Sequence, residues 1–191
     1  IELDGSGSFL ELPADAFADL SVATIEGWVK WRALVPSSKL FDLRIGNETF
    51  RLLTDLRSNL NLVHVGERSV STAKIFGGTQ VGRWFHIAAT VGPDTLKVFI
   101  NGNPMPTALN RQPRLPGMLD KRNYLGRSKD RAFDPLNNDP DFEGQLAEVR
   151  VWRGERTEEQ IRENRFRRLT GAEPGLAHLW NFADVQENRV M

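Results

Sequence analysis

The sequence predicts an all-β protein: a two-sheet antiparallel sandwich with one short helix near the C-terminus. Three observations predict it. Short segments of alternating apolar and polar residues recur along the whole chain, and turn residues such as Gly66-Glu67 and Gly77-Gly78 separate them. The dipeptide Asn101-Gly102 directly follows one such segment, and it tolerates the positive φ angles of a two-residue hairpin. Helix signals are confined to one place, Thr157 to Leu169.

Candidate strands fall at 8–12, 22–31, 38–45, 48–54, 59–65, 69–75, 83–91, 95–101, 122–126, 143–152 and 176–182. The clearest is 83–91, where Trp84, His86, Ala88 and Thr90 alternate with Phe85, Ile87, Ala89 and Val91. Gly92-Pro93-Asp94 then breaks the run. Two segments read as loops: Pro104 to Lys121, with four prolines, and the polar stretch Ser128 to Asp141. In the helix, Thr157 and Gln160 have the spacing of a capping box. Glu158 and Glu159 open it, and Arg165, Arg167 and Arg168 close it, as the helix dipole favours. Ile161, Phe166 and Leu169 are its expected buried residues, and the arginines read as a solvated helix end.

At 191 residues the chain suits one domain, 1–191. Basic and acidic residues balance at 25 each, which argues against a general nucleic-acid binder. No apolar run approaches the ~18 residues of a transmembrane segment. With no cysteine, disulfides and thiolate metal sites are excluded. The start at Ile1-Glu2-Leu3 and the end at Val190-Met191 read as a piece of a longer, multidomain protein.

Five blocks in order carry a family resemblance: Leu3 to Leu12, Ala23 to Trp31, Arg83 to Met105, Phe142 to Trp152 and Gly175 to Phe182. Together they resemble a laminin G-like module of the concanavalin A-like jelly-roll superfamily, which includes the pentraxins. A looser resemblance is to such modules within large bacterial proteins. The resemblance implies a jelly-roll sandwich. It also implies a non-catalytic binding module that recognises a glycan or protein ligand through rim loops, in an extracellular or cell-surface setting and from a bacterial source. A glycoside hydrolase or lyase of the same superfamily is the first alternative, and a structural spacer the second.

Retaining glycosidases need two carboxylates ~5–5.5 Å apart. No acidic cluster along one strand meets that need. Glu148 is the nearest candidate, but Arg150 shares its face and favours the ionised carboxylate, the wrong state for a general acid. The two read as an ion pair. His64, His86 and His178 lie on separate strands, and His86 reads as packing with a hydrogen bond. By the resemblance, Trp28, Trp84, Trp152 and Trp180 occupy core positions, which leaves Trp31 as a sugar-stacking candidate.

The segment Ser128 to Glu143 has five acidic side chains against two basic ones, a charge of −3. Oxygen ligands at irregular spacing suit calcium. The pentraxin resemblance matches Asn47 and Asp130 to calcium ligands, and the acidic loop itself adds Asp139 and Asp141 as candidates. Gly46 stands where that family has an aspartate, and Ser128 where it has a glutamate. A second, structural calcium would use Asp4, but Ala147 replaces its partner aspartate.

Overall fold

A computed structural model describes residues 1–182, apart from 15, 46, 58, 67–68, 76–78, 93–94, 114–121 and 129–138. In chain order the strands are β1 (Glu2–Asp4), β2 (Leu10–Leu12), β3 (Ala23–Trp31), β4 (Lys39–Ile45), β5 (Glu48–Thr54), β6 (Leu60–Val65), β7 (Ser69–Ile75), β8 (Trp84–Gly92), β9 (Thr95–Ile100), β10 (Asn103–Pro104), β11 (Thr107–Pro113), β12 (Asn123–Leu125), β13 (Glu143–Arg153) and β14 (Leu176–Trp180). Helix α1 (Glu158–Asn164) lies between β13 and β14.

The strands form two seven-stranded antiparallel sheets, and the fold is the expected jelly-roll sandwich. The first has the order β1-β13-β3-β8-β9-β10, with β14 also on β13, and the second the order β11-β7-β6-β5-β4-β12-β2. Inward side chains of both sheets share one core, including Ile25, Val29, Trp31, Phe50, Leu52, Leu62, Ile87 and Leu146. Asn101 (φ 53°) and Gly102 (φ 82°) make the two-residue hairpin between β9 and β10. Gly102 has a second reason to be glycine: a Cβ there would lie 3.1 Å from Arg162 Cα on α1.

Two elements differ from expectation. The segment from Pro104 onward was expected as a loop, yet 107–113 is a strand paired residue for residue with β7. It lies at a sheet edge, where proline withdraws no needed ladder donor. The helix stops at Asn164 rather than Leu169, so Arg165, Arg167 and Arg168 lie beyond its last turn. The capping box is as expected: Thr157 Oγ1 accepts from the Gln160 amide and Gln160 Oε1 from the Thr157 amide.

β1 and β14 share the same side of β13, while β2 lies in the second sheet beside β12. The Ile1 ammonium donates to Leu146 O at 2.9 Å and Trp180 pairs with Val149, so Ile1 and Trp180 lie about 10 Å apart along β13.

Candidate functional site

Strand parity sets the outer face of the first sheet. On β3 the odd positions Ile25, Val29 and Trp31 enter the core, so Thr24, Glu26, Trp28 and Lys30 face out. On β8 the same face receives Trp84, His86, Ala88 and Thr90, and cross-strand register sets Trp28 opposite His86 and Lys30 opposite Trp84. Residues following β13 fold back over part of this face. Ile161 of α1 packs on Ala88 and Phe99, with all three buried.

Arg150 fixes that covering segment. Its side chain is sealed from solvent. Nη1 donates to Asn164 O at 2.9 Å and Nη2 to Arg167 O at 2.6 Å, so the last carbonyl of α1 and one just beyond the helix are satisfied. The same guanidinium meets Glu148 Oε2 at 2.5 Å and Glu26 Oε1 at 3.4 Å. The expected Glu148–Arg150 ion pair is therefore present. Its geometry differs from a plain strand, because the register shifts between Ala147 and Arg150 and Glu148 takes a φ of 49°.

The buried carboxylate of this site, Glu26, was not anticipated. Trp152 Nε1 donates to its Oε1 at 2.8 Å, and Arg156 stacks 3.7 Å from the Trp152 ring centre. Burial pushes the Glu26 carboxyl up, while Trp152 and Arg150 oppose that rise. Its Oε2 has no hydrogen-bond partner among the described residues and lies 3.8 Å from His86 Nε2. His86 packs edge-on to Trp28, as expected of a packing residue, but neither ring nitrogen is hydrogen-bonded. Burial, reinforced by the charges of Arg150 and Arg165, lowers its pKa to about 3. A sequence signal for this cluster existed. Glu26 interrupts an apolar strand, and its parity matches the face that carries His86.

The tryptophans exchange roles. Trp31, expected as the sugar platform, is 1% exposed and packs on Phe85 and Phe142. Trp84, expected in the core, is 42% exposed. Trp152 is buried beneath the covering segment and Trp180 packs against the core. Trp28 is half-buried on the outer face, its Nε1 donating to Arg165 O at 3.0 Å. Phe166, expected to be buried, is 74% exposed and lies 5.3 Å from the Trp28 ring. Parity explains the exchange: Trp31 shares the inward register of Val29, and Trp84 the outward register of His86.

Of the expected calcium ligands, Asn47 and Asp139 lie at opposite ends of β4. Asn47 Oδ1 accepts from Arg44 at 2.9 Å in the turn after β4. Asp139 is bound by Lys39 and by Ser128 Oγ, at the start of β4. The six steps of β4 separate these ends by about 20 Å. Asp141 accepts two bonds from Arg127, at 3.2 and 3.0 Å, and Arg127 in turn covers the Phe9 ring. Asp130 lies outside the described residues. Asp139 and Asp141 thus each pair with a side-chain cation. Among the described residues no group of three His, Cys, Asp or Glu is placed to hold a metal ion. Asp4 binds its own loop instead, accepting from Ser6 and Ser8, and these bonds lower its pKa to about 2.

The chain belongs to a laminin G family of the concanavalin A-like lectin/glucanases superfamily, whose model matches residues 4–162. Among solved structures it is similar to domain 4 of AbnA, an extracellular arabinanase from Geobacillus stearothermophilus, solved with arabinotriose. Identity is 23%, the TM-score 0.66, and the match covers 86% of this chain and 75% of that one. A putative carbohydrate binding protein from Bacteroides ovatus is 21% identical with a TM-score of 0.63, over 98% of this chain and 50% of that one. A SAP-like pentraxin from Limulus polyphemus is 15% identical with a TM-score of 0.54, over 76% and 70%. No curated protein matches the chain. Among the described residues no helix is long and apolar enough to cross a membrane.

Proposed function

We propose that this domain is a non-catalytic module that binds carbohydrate as part of a larger extracellular or cell-surface protein. Family membership supports the class. One observation carries the non-catalytic part: the carboxylate whose burial best suits a general acid, Glu26, is 2% exposed and sealed beneath the segment that Arg150 anchors. A glycosidic oxygen has no path to it. Its neighbour Glu148 shares the same guanidinium, and Asp42 and Asp141 are ion-paired with Arg51 and Arg127. A glycosidase pair needs two carboxylates open to one substrate, and these four are committed to structure. The arabinotriose held by the arabinanase domain, and the description of the Bacteroides ovatus relative, support carbohydrate over protein as the ligand.

A glycan array tests the binding, and a reducing-sugar assay on the same glycans tests the chemistry. Retention of at least one glycan class without turnover is the expected result. Turnover lost in both Glu26→Gln and Glu148→Gln would establish an enzyme instead.

A further inference from the structure

The covering segment leaves one part of the outer face open, and its composition is unusual for a free surface. Trp28 and Trp84 are diagonal neighbours across β3 and β8, roughly 7 Å apart. Phe166 stands against Trp28, its ring tilted 35° from the indole. The floor is set before any ligand arrives. Trp28 is held by its bond to Arg165 O and by the edge-on contact with His86. Rigid aromatic rings bind at low entropic cost. Around this floor stand Lys30, paired across the strands with Trp84 and Gln145, and Arg165, whose guanidinium lies 4.8 Å from the Phe166 ring centre.

The charge of this surface selects the ligand. The Lys30 ammonium has neither hydrogen bond nor ion pair among the described residues. The nearest acid across the strands, Glu2, is taken by Arg32 and Gln145. Glu148 pairs with Arg150, and Glu26 lies between Arg150 and Arg156, so two cations face two carboxylates. Lys30 and Arg165, which flank the aromatic floor, have no ion-pair partner among the described residues. Aromatic faces accept the apolar face of a pyranose ring, and an uncompensated ammonium at their edge accepts an anionic substituent.

We infer that Trp28, Trp84 and Phe166 form a stacking platform for an acidic saccharide, with Lys30 receiving its carboxylate or sulfate. This rests on the carbohydrate-binding reading and gives it a place and a ligand class. It also relocates the sugar platform from Trp31, which the core has taken.

The test is calorimetric titration of the whole domain with hexagalacturonate, a heparin hexasaccharide and the neutral cellohexaose and arabinohexaose. It is repeated with Trp84→Ala, Phe166→Ser and Lys30→Gln. Leu56→Ser, at the 89%-exposed tip between β5 and β6, is the control. At least one acidic probe should bind more tightly than either neutral one. Trp84→Ala and Phe166→Ser should each weaken it about tenfold or more. Lys30→Gln should remove the preference for acid and flatten the salt dependence, while Leu56→Ser changes nothing. All three substituted side chains are at the surface, and unchanged melting curves verify folding. Glycan binding that persists unchanged in all three variants overturns the platform and leaves the carbohydrate reading intact. A domain that binds no glycan on these panels or on the array overturns both.

Discussion

Arg150 Nη1 lies 3.4 Å from Glu26 Oε1, with both side chains sealed from solvent, and the same guanidinium holds the carbonyls of Asn164 and Arg167. One buried cation thus closes the sheet and fastens the helix that covers it. Arg150→Met is expected to destabilise the domain by about 3–5 kcal/mol, because it strands a buried carboxylate and the carbonyls of Asn164 and Arg167. Urea unfolding measures this. Restoration by a second change, Glu26→Gln, is expected to be partial, since the carbonyls stay unpaired. A loss below about 1 kcal/mol in Arg150→Met would mean the segment is held by its apolar contacts alone.

The capping box at Thr157 offers a smaller, local test. Thr157→Ala removes the acceptor for the Gln160 amide and should cost about 1 kcal/mol. Thr157→Ser keeps the acceptor and should be close to neutral. Thermal unfolding of both variants separates the cap from a general effect of substitution near α1.

Gly102 combines a left-handed backbone with contact against α1. Gly102→Ala should therefore cost more than the ~1 kcal/mol typical of an alanine forced to positive φ, because its Cβ also meets Arg162. Gly82 has a similar φ of 79° but open space around it. The difference between the two alanine variants reads out the contact with α1 alone.

Asp141 separates structure from metal binding. Its carboxylate is buried and receives two bonds from Arg127, so Asp141→Asn should destabilise by about 2–3 kcal/mol. The melting temperatures of wild type and variant should each be the same in millimolar calcium and in chelator. A wild-type melting temperature that falls on chelation, in a manner lost in the variant, would return Asp141 to a cation site.

Most strands were legible because alternation with turn punctuation is a local property. Asn101-Gly102 and Thr157-to-Gln160 were legible for the same reason, since their bonds close within a few residues. The edge strand at 107–113 was hidden by prolines, which forbid a central strand but not an edge. The buried site was hidden because Glu26 and Arg150 are 124 residues apart and only sheet register joins them. The tryptophans could have been placed better from parity alone. The family pattern suggested core positions for Trp28 and Trp84, while their own neighbours Val29 and Phe85 already claimed the inward face.

The pH dependence of stability gives the most direct view of the buried site. Glu26, Arg150, Arg165 and Trp28 surround His86, and its pKa is lowered from 6.5 to about 3. A group with a lowered folded-state pKa contributes stability that is complete above its unfolded value and lost as pH falls toward the folded one. His86 should therefore weaken the fold progressively between pH 6.5 and about 3, by up to about 1.4 kcal/mol per pH unit. Glu26 has the opposite sign. Its raised pKa makes it most favourable when neutral, so it offsets part of the loss as acid is added. Substituting His86→Phe removes the imidazole but keeps a ring against Trp28, and should flatten the acid limb of stability measured by urea unfolding from pH 7 to pH 4. Glu26→Gln should steepen that limb by removing the offset. Parallel profiles for wild type and His86→Phe would show that the imidazole opens to solvent before it is protonated.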